Sequence, residues 1–263
     1  MTQATELRPL ALGELLDKTF TLYRNNFALF FGISAVAGIF VLAINIAQLA
    51  VMPSAGGSAT PAEIAAGAGL VLLFTLVGLI AYLVAYAYSL AATVYAVSDL
   101  HLGRPASIQS ALLRAKGKLW KLIVLQILLG IATGIGFMLL IIPGILILCK
   151  YALSVPAAVL EDLTWRPATE RSGVLTAGTW GRIFMIYCLS FLLTYIAVFI
   201  FQLPLQLMGM PVLSVVGNFL ASTLVAPVAT IALSLQYYDA RVRKEAFDLQ
   251  HMMQALGGST GRA

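Results

Sequence analysis

Very few side chains in this sequence could do chemistry. The two histidines, His101 and His251, lie far apart and in loop or tail positions. A hydrolytic site needs a base positioned beside a nucleophile, or carboxylates and imidazoles gathered around a metal. Gly117-Lys118 lacks the spacing and the following Ser or Thr of a phosphate-binding loop. Cys149 and Cys188 sit in apolar runs without Cys-x-x-Cys spacing, and are expected to be core or lipid-facing thiols. These residues point away from an enzyme and imply no cofactor and no metal.

The remaining signal is in the charges. Lys150 is the one charge inside a long apolar run. Counted from Gly144 it lies roughly 9 Å into its helix at about 1.5 Å per residue. Such a residue marks a substrate or ion path in some proteins; the plainer expectation is that its stem snorkels to the outer headgroups. Asp99, Asp162 and Asp239 each close an apolar run, where a carboxylate is unfavourable beside the negative end of a helix dipole. Arg104 and Arg166 lie a few residues past the first two, and Arg241 and Arg243 past the third. A set of structural ion pairs joining these neighbours is therefore expected.

Uncharged residues offer weaker candidates. Gly130 and Gly134, with Gly136 just beyond, form a small-xxx-small pattern that lets helices approach closely. Tyr82, Tyr86, Tyr88 and Tyr95, with Asn45, Gln48, Gln126, Gln202, Gln206, Asn218 and Gln236, could line a cavity or hydrogen-bond between helices. Packing is the simpler reading of both groups.

Elements able to position these residues follow from composition. The 263 residues are 60% hydrophobic and 10% charged, against roughly 25% charged in soluble domains. That places most side chains in hydrocarbon. The net charge of +5 comes from basic residues in short segments between apolar runs, which suits anionic lipid headgroups and not nucleic acid. A bilayer crossing takes roughly 20 apolar residues. Phe27 to Met52 and Ile64 to Ser98 each read as one span, and Thr60-Pro61-Ala62-Glu63 is a helix start for the second. The first of these runs is too long for a cleaved signal core. Leu122 to Leu160 and Ile183 to Tyr238 are long enough for two spans each, with turns expected at Pro143-Gly144 and between Pro204 and Pro211. Six spans put every Lys and Arg except Lys150 on one side, while Pro53 to Glu63, the Pro143 turn and Leu205 to Met210 hold none. By the positive-inside rule both termini are cytoplasmic.

The chain also repeats itself. Asp99-Leu100 leads through Arg104-Pro105-Ala106-Ser107 to Trp120, and Asp162-Leu163 leads through Arg166-Pro167-Ala168-Thr169 to Trp180. A looser copy opens at Arg8-Pro9. The implied unit is a short amphipathic helix on the cytoplasmic surface followed by a transmembrane hairpin, used three times over residues 1–98, 99–160 and 161–250. In the first surface helix Leu12, Leu15, Leu16, Phe20 and Tyr23 share the apolar face; in the second Ile108, Ala111, Leu112, Ala115 and Leu119 do. The fold expected is thus an all-α integral membrane protein, one six-helix domain over 1–250, with 251–263 as a flexible tail.

The opening Leu7-Arg8-Pro9-Leu10, Gly13-Glu14-Leu15-Leu16-Asp17 and Tyr23-Arg24 resembles the membrane domain attached to some bacterial glycerophosphoryl diester phosphodiesterases. So do Ile142-Pro143-Gly144-Ile145 and the closing Tyr237-Tyr238-Asp239, Arg241-Val242-Arg243-Lys244-Glu245 and Phe247-Asp248-Leu249. The resemblance, shared with YciC-like six-span proteins of unassigned function, implies a bacterial inner-membrane location. The catalytic barrel of the fused members has no counterpart in these residues, so no phosphodiesterase activity is expected. Two readings remain: a non-catalytic scaffold, regulator or envelope-support protein with a membrane or cytoplasmic protein partner, or a transporter or channel for a small solute or lipid. A polar cavity at mid-membrane depth containing Lys150 would favour the second, and a tightly packed centre the first.

Overall fold

The structure, a computed structural model, describes the backbone of residues 10–51 and 61–259 and the side chains of 10–49 and 66–245. The described residues form helices and no strands. The order is α1 (Leu12–Asn25), α2 (Phe27–Val51), α3 (Pro61–His101), α4 (Ile108–Lys116), α5 (Leu119–Leu139), α6 (Ile141–Lys150), α7 (Ser154–Leu160), α8 (Trp165–Thr176), α9 (Trp180–Phe201), α10 (Leu203–Leu207) and α11 (Pro211–Ser259). Six segments are long and apolar enough to cross a bilayer: Phe27–Leu49, Ala66–His101, Leu119–Leu139, Ile141–Leu160, Trp180–Leu207 and Pro211–Glu245. This is the makeup of a multi-pass membrane protein, and the count equals the one reached from sequence.

Residues 61–101 form one unbroken helix, as their lack of an internal proline implies. The expected cap at Thr60 lies outside the described residues. The turn expected between Pro204 and Pro211 lies at residues 208–210, between α10 and α11, and the other is placed differently. Between α5 and α6 the chain reverses at Leu140, which is extended (φ −163°, ψ 154°), so the turn is not at Pro143-Gly144. Proline suits the first helical turn, where no partner for its missing N–H is needed, and Gly144 then packs on α5. An added Cβ on Gly136 would stand 2.9 Å from the Gly144 Cα. These are the close-packing glycines of this pair. Gly130 and Gly134 are exposed, with nothing within 4 Å of an added Cβ. Leu122, Leu125 and Gly136 set the buried face of α5, and Gly130 and Gly134 fall roughly 110° and 150° away from it.

The expected tail is helical where described, because α11 runs on past residue 250 to Ser259. The amphipathic reading of α1 needs one correction. Leu15 and Thr19 are buried while Phe20 faces outward, the Thr19 hydroxyl being satisfied by the Leu15 carbonyl at 2.8 Å.

The densest packing is where α3 ends. Residues 91–99 are all buried, as suits a helix surrounded by neighbours. Ala87, Ala91, Ala92 and Ala96 keep that segment thin, so that Phe30 and Ile33 of α2, Leu15 of α1, Leu122 and Leu125 of α5 and Ile231 and Leu235 of α11 close around it. The opposite ends of α5, α9 and α11 expose their apolar side chains, among them Met138, Phe199 and Leu213.

Candidate functional site

The charged residues gather at the end of the bundle that holds this core. Asp239 lies in the middle of α11 (Pro211–Ser259) with its side chain 0% exposed. The Leu10 amide donates to it at 2.7 Å, Arg243 pairs with it at 2.8 Å and Arg182, at the start of α9, at 3.2 Å. Arg243 also donates to the Leu10 carbonyl at 2.6 Å. Of the expected neighbours, then, Arg243 binds Asp239 and Arg241 does not. Residues two apart face different sides of a helix, whereas residues four apart share one. Arg241 accordingly pairs with Glu245 at 3.0 Å.

In the repeated segments the nearest arginine is not the partner. Asp99 binds Arg114 of α4 at 2.8 Å, and that guanidinium lies 4.3 Å from the Tyr95 ring centre. Arg104 is exposed in the loop, because α4 folds back along α3 and brings its last turn, not its first, to Asp99. Asp162 binds Lys121 at 2.7 Å and also Lys118. Arg166 pairs instead with Glu170 on its own helix at 3.2 Å. Asp162 has a φ of +56°, a left-handed turn between α7 and α8 that aspartate tolerates better than most residues. The hydrogen bonds from Lys118 and Lys121 hold its carboxyl down at about 2. Glu161, given no ion-pair partner from sequence, accepts from Arg171 at 3.0 Å and from the Tyr237 hydroxyl, and Arg171 also binds Glu245.

Lys150 belongs to this same end. It is the last residue of α6, and its carbonyl accepts from Ser172 at 2.9 Å and Thr176 at 3.0 Å. Its ammonium stands 5.3 Å from the Tyr151 ring centre, and Lys150 lines an open cavity of about 620 Å³ with Glu170 and Lys244. Lys150 is thus placed among the charged residues of this end. Because α6 starts at Ile141 and breaks at Tyr151, Lys150 emerges beside α8.

A second cavity lies elsewhere. α3 and α11 meet where Tyr238 donates to Ser98 at 2.8 Å and packs on His101 with ring centres 4.8 Å apart. Beyond that contact they part over α2 and leave a cleft of about 400 Å³, within the roughly 300–1,000 Å³ of small-molecule sites. Asn45, Gln48, Tyr82, Tyr86 and Asn218, all singled out from sequence, line it. Gln126, Gln202, Gln206, Gln236, Tyr88, Tyr95 and Lys150 do not. Sequence reasoning missed Ser34, Gly38, Thr75, Ser89, Thr93, Ser222, Thr223, Pro227 and Thr230, which line it as well. The signal was present in their spacing: Ser34, Gly38, Val41, Asn45 and Gln48 recur every three or four residues and so share one face of α2. At Gly38 an added Cβ would come 2.7 Å from the Thr223 hydroxyl, so α2 and α11 cross closely at the floor.

Most of the polar lining is satisfied from within. Gln48 donates to Thr75 at 2.8 Å, Thr75 to the Val71 carbonyl at 2.7 Å, Thr93 to the Ser89 carbonyl at 2.8 Å and Ser89 to the Ile33 carbonyl at 3.2 Å. The Thr223 hydroxyl is different. It is buried and has no hydrogen-bond partner. One turn later stands Pro227, inside α11, which has no N–H to offer the Thr223 carbonyl. No family model, curated protein or solved structure matches this chain.

Proposed function

We propose that this chain is a non-catalytic, multi-pass protein of a bacterial inner membrane that binds a small uncharged molecule in the cleft between α2, α3 and α11. The observation that supports this reading is a cavity of about 400 Å³ with a polar lining in helices whose outer faces are apolar. Polar groups inside a membrane segment are expensive and persist where they have work to do. In this reading α2–α3, α5–α6 and α9–α11 are three hairpins, α1, α4 and α8 are their cytoplasmic interfacial helices, and both termini are cytoplasmic. The basic residues then meet the anionic leaflet. The cleft ends at the buried segment 91–99, so it is shut from the cytoplasmic side, as a binding site or an outward-facing carrier would be and an open channel would not. The phosphodiesterase-domain resemblance adds no catalytic role.

A second reading, a scaffold for protein partners, is favoured by the ion-paired collar and by Trp120, 75% exposed beside α4. The two are separated by mass spectrometry of small molecules that co-purify with the wild type and with Ser222→Leu, an exposed lining position where added bulk fills the mouth. The binding reading expects one species to drop at least tenfold in the variant. Identical profiles would leave the scaffold.

A further inference from the structure

Resting on the reading of the cleft as a binding site, we propose that its ligand is a neutral acylglycerol, whose hydroxyl and ester oxygens reach the break in α11 at Thr223 and Pro227. Three observations lead there. First, among the described residues no Lys, Arg, His, Asp or Glu lines the cleft. A phosphate or ammonium headgroup would give up its hydration for no counter-charge, which is costly in a medium of low dielectric constant.

Second, the floor holds an unsatisfied donor. The Thr223 side chain is buried, its residue 2% exposed, and its hydroxyl is unpartnered. The carbonyl of the same residue is deprived of its helical N–H by Pro227. A group that both donates and accepts answers this pair, and a lipid hydroxyl does so. A bare hydrocarbon chain would leave the hydroxyl as orphaned as it is now. Asn45 and Asn218 also line the cleft; the Asn45 amide already donates to the Val41 carbonyl at 2.8 Å, which leaves its side-chain oxygen and the Asn218 amide to suit a ligand with several polar groups rather than a single terminal hydroxyl.

Third, the mouth faces hydrocarbon. Thr75 and Leu79 on α3 and Ser222 and Ala226 on α11 are lining residues that are also exposed on the outer surface of the bundle. A ligand enters sideways from the acyl-chain region, so it must be soluble there. At roughly 30 Å³ for a water-sized group, the volume holds about a dozen heavy atoms. That is a glycerol head with its ester groups, the acyl chains trailing out between α3 and α11.

The test uses the full chain in phosphatidylcholine nanodiscs, labelled with a diazirine analogue of monooleoylglycerol and mapped by peptide mass spectrometry. Saturable labelling of the peptides containing residues 34–48 and 218–230 is expected. Dioleoylglycerol should compete at least tenfold better than dioleoylphosphatidylglycerol or farnesol. Thr223→Val, which keeps the shape and removes the hydroxyl, should weaken competition about threefold to tenfold, the loss of one neutral hydrogen bond. The same variant should melt higher than the wild type without ligand, because it deletes an unpaired buried hydroxyl; a purely structural threonine would melt lower when replaced. Equal competition by the phospholipid or by farnesol at these peptides overturns the acylglycerol assignment and leaves the cleft reading standing. Unsaturable label spread over α5 and α9 overturns both.

Discussion

Asp239 and Asp162 carry the same charge at the same end of the molecule and differ in how far water reaches them. Asp239 is sealed, its side chain 0% exposed against an Arg182 that is 14% exposed. Removing one member of a buried pair strands the other, at a cost of roughly 3–5 kcal/mol. Asp239→Asn should therefore lower the melting temperature sharply in detergent and free the segment at Leu10, and a limited-proteolysis cut near the N-terminus would show it. Asp162 has a side chain 58% exposed, so its ion pairs are screened and Asp162→Asn should shift the melt far less. If the two variants melt alike, the assigned burial is wrong. Asp162 also makes a pH prediction. Its carboxyl is held at about 2 by hydrogen bonds from Lys118 and Lys121, below the ordinary carboxylate range near 4. A depressed carboxylate contributes its stability above the unfolded value and loses it as pH falls through the folded one. The contribution should be intact at pH 5 and vanish between about pH 4 and 2. Carboxyl infrared titration of the wild type and of Lys118→Gln/Lys121→Gln should show the Asp162 band moving up in the variant, and an unmoved band would discard the assigned partners.

At the scale of helices, contact is decided by which residue faces the neighbour. Gly217 of α11 lies against α9 so closely that a Cβ there would strike the Phe201 carbonyl oxygen. Backbone cannot swing aside as a side chain can, so Gly217→Ala should force α9 and α11 apart and destabilise the pair by several kcal/mol, in the manner of an overpacked core. Gly130→Ala and Gly134→Ala meet open space and should gain up to about 1 kcal/mol of helix propensity each. Thermal melts of the three variants give opposite signs; equal losses at all three positions would reject this map of contacts. The contrast also marks what was legible in the chain. Lengths and types of the long helices follow from apolar run length, so α2 and α3 were read almost to their ends. Facing does not follow from a local motif. Gly130-xxx-Gly134 has the packing pattern without the neighbour, while Gly217 packs without the pattern, because partners come from distant parts of the chain. The ion pairs failed for the same reason. Proximity in sequence suggested Arg104 for Asp99, but the fold-back of α4 delivered Arg114. For the cleft, five polar residues were named and the helical spacing that joins Ser34, Gly38, Asn45 and Gln48 into one wall was overlooked.

At the scale of the whole molecule, the ion pairs described lie at one pole. They join α3 to α4, α5 to the turn between α7 and α8, and both α8 and α9 to α11; Leu10, ahead of α1, hydrogen-bonds Asp239, and the buried stretch of α3 runs through the middle. Among the described residues, the other pole has no such ion pairs and shows apolar side chains to its surroundings. This polarity is what a bilayer would impose on a protein whose cytoplasmic end is fastened and whose hydrocarbon-facing helices are held mainly by lipid pressure and close packing. It also places the cleft, which opens on the less fastened side of the α3–α11 contact at Ser98 and Tyr238. Two exposed positions at the opposite poles make the arrangement testable: Lys116 at the end of α4, and Met208 between α10 and α11. In a background with Cys149 and Cys188 replaced by serine, Met208→Cys in intact spheroplasts should react with a membrane-impermeant maleimide. Lys116→Cys should react only after the membrane is opened or in inverted vesicles. The opposite result would invert the chain and turn the cleft toward the cytoplasm. Reaction of both from one side would mean that α5, α6, α9 and α10 do not cross as pairs, and the three-hairpin arrangement would go with it.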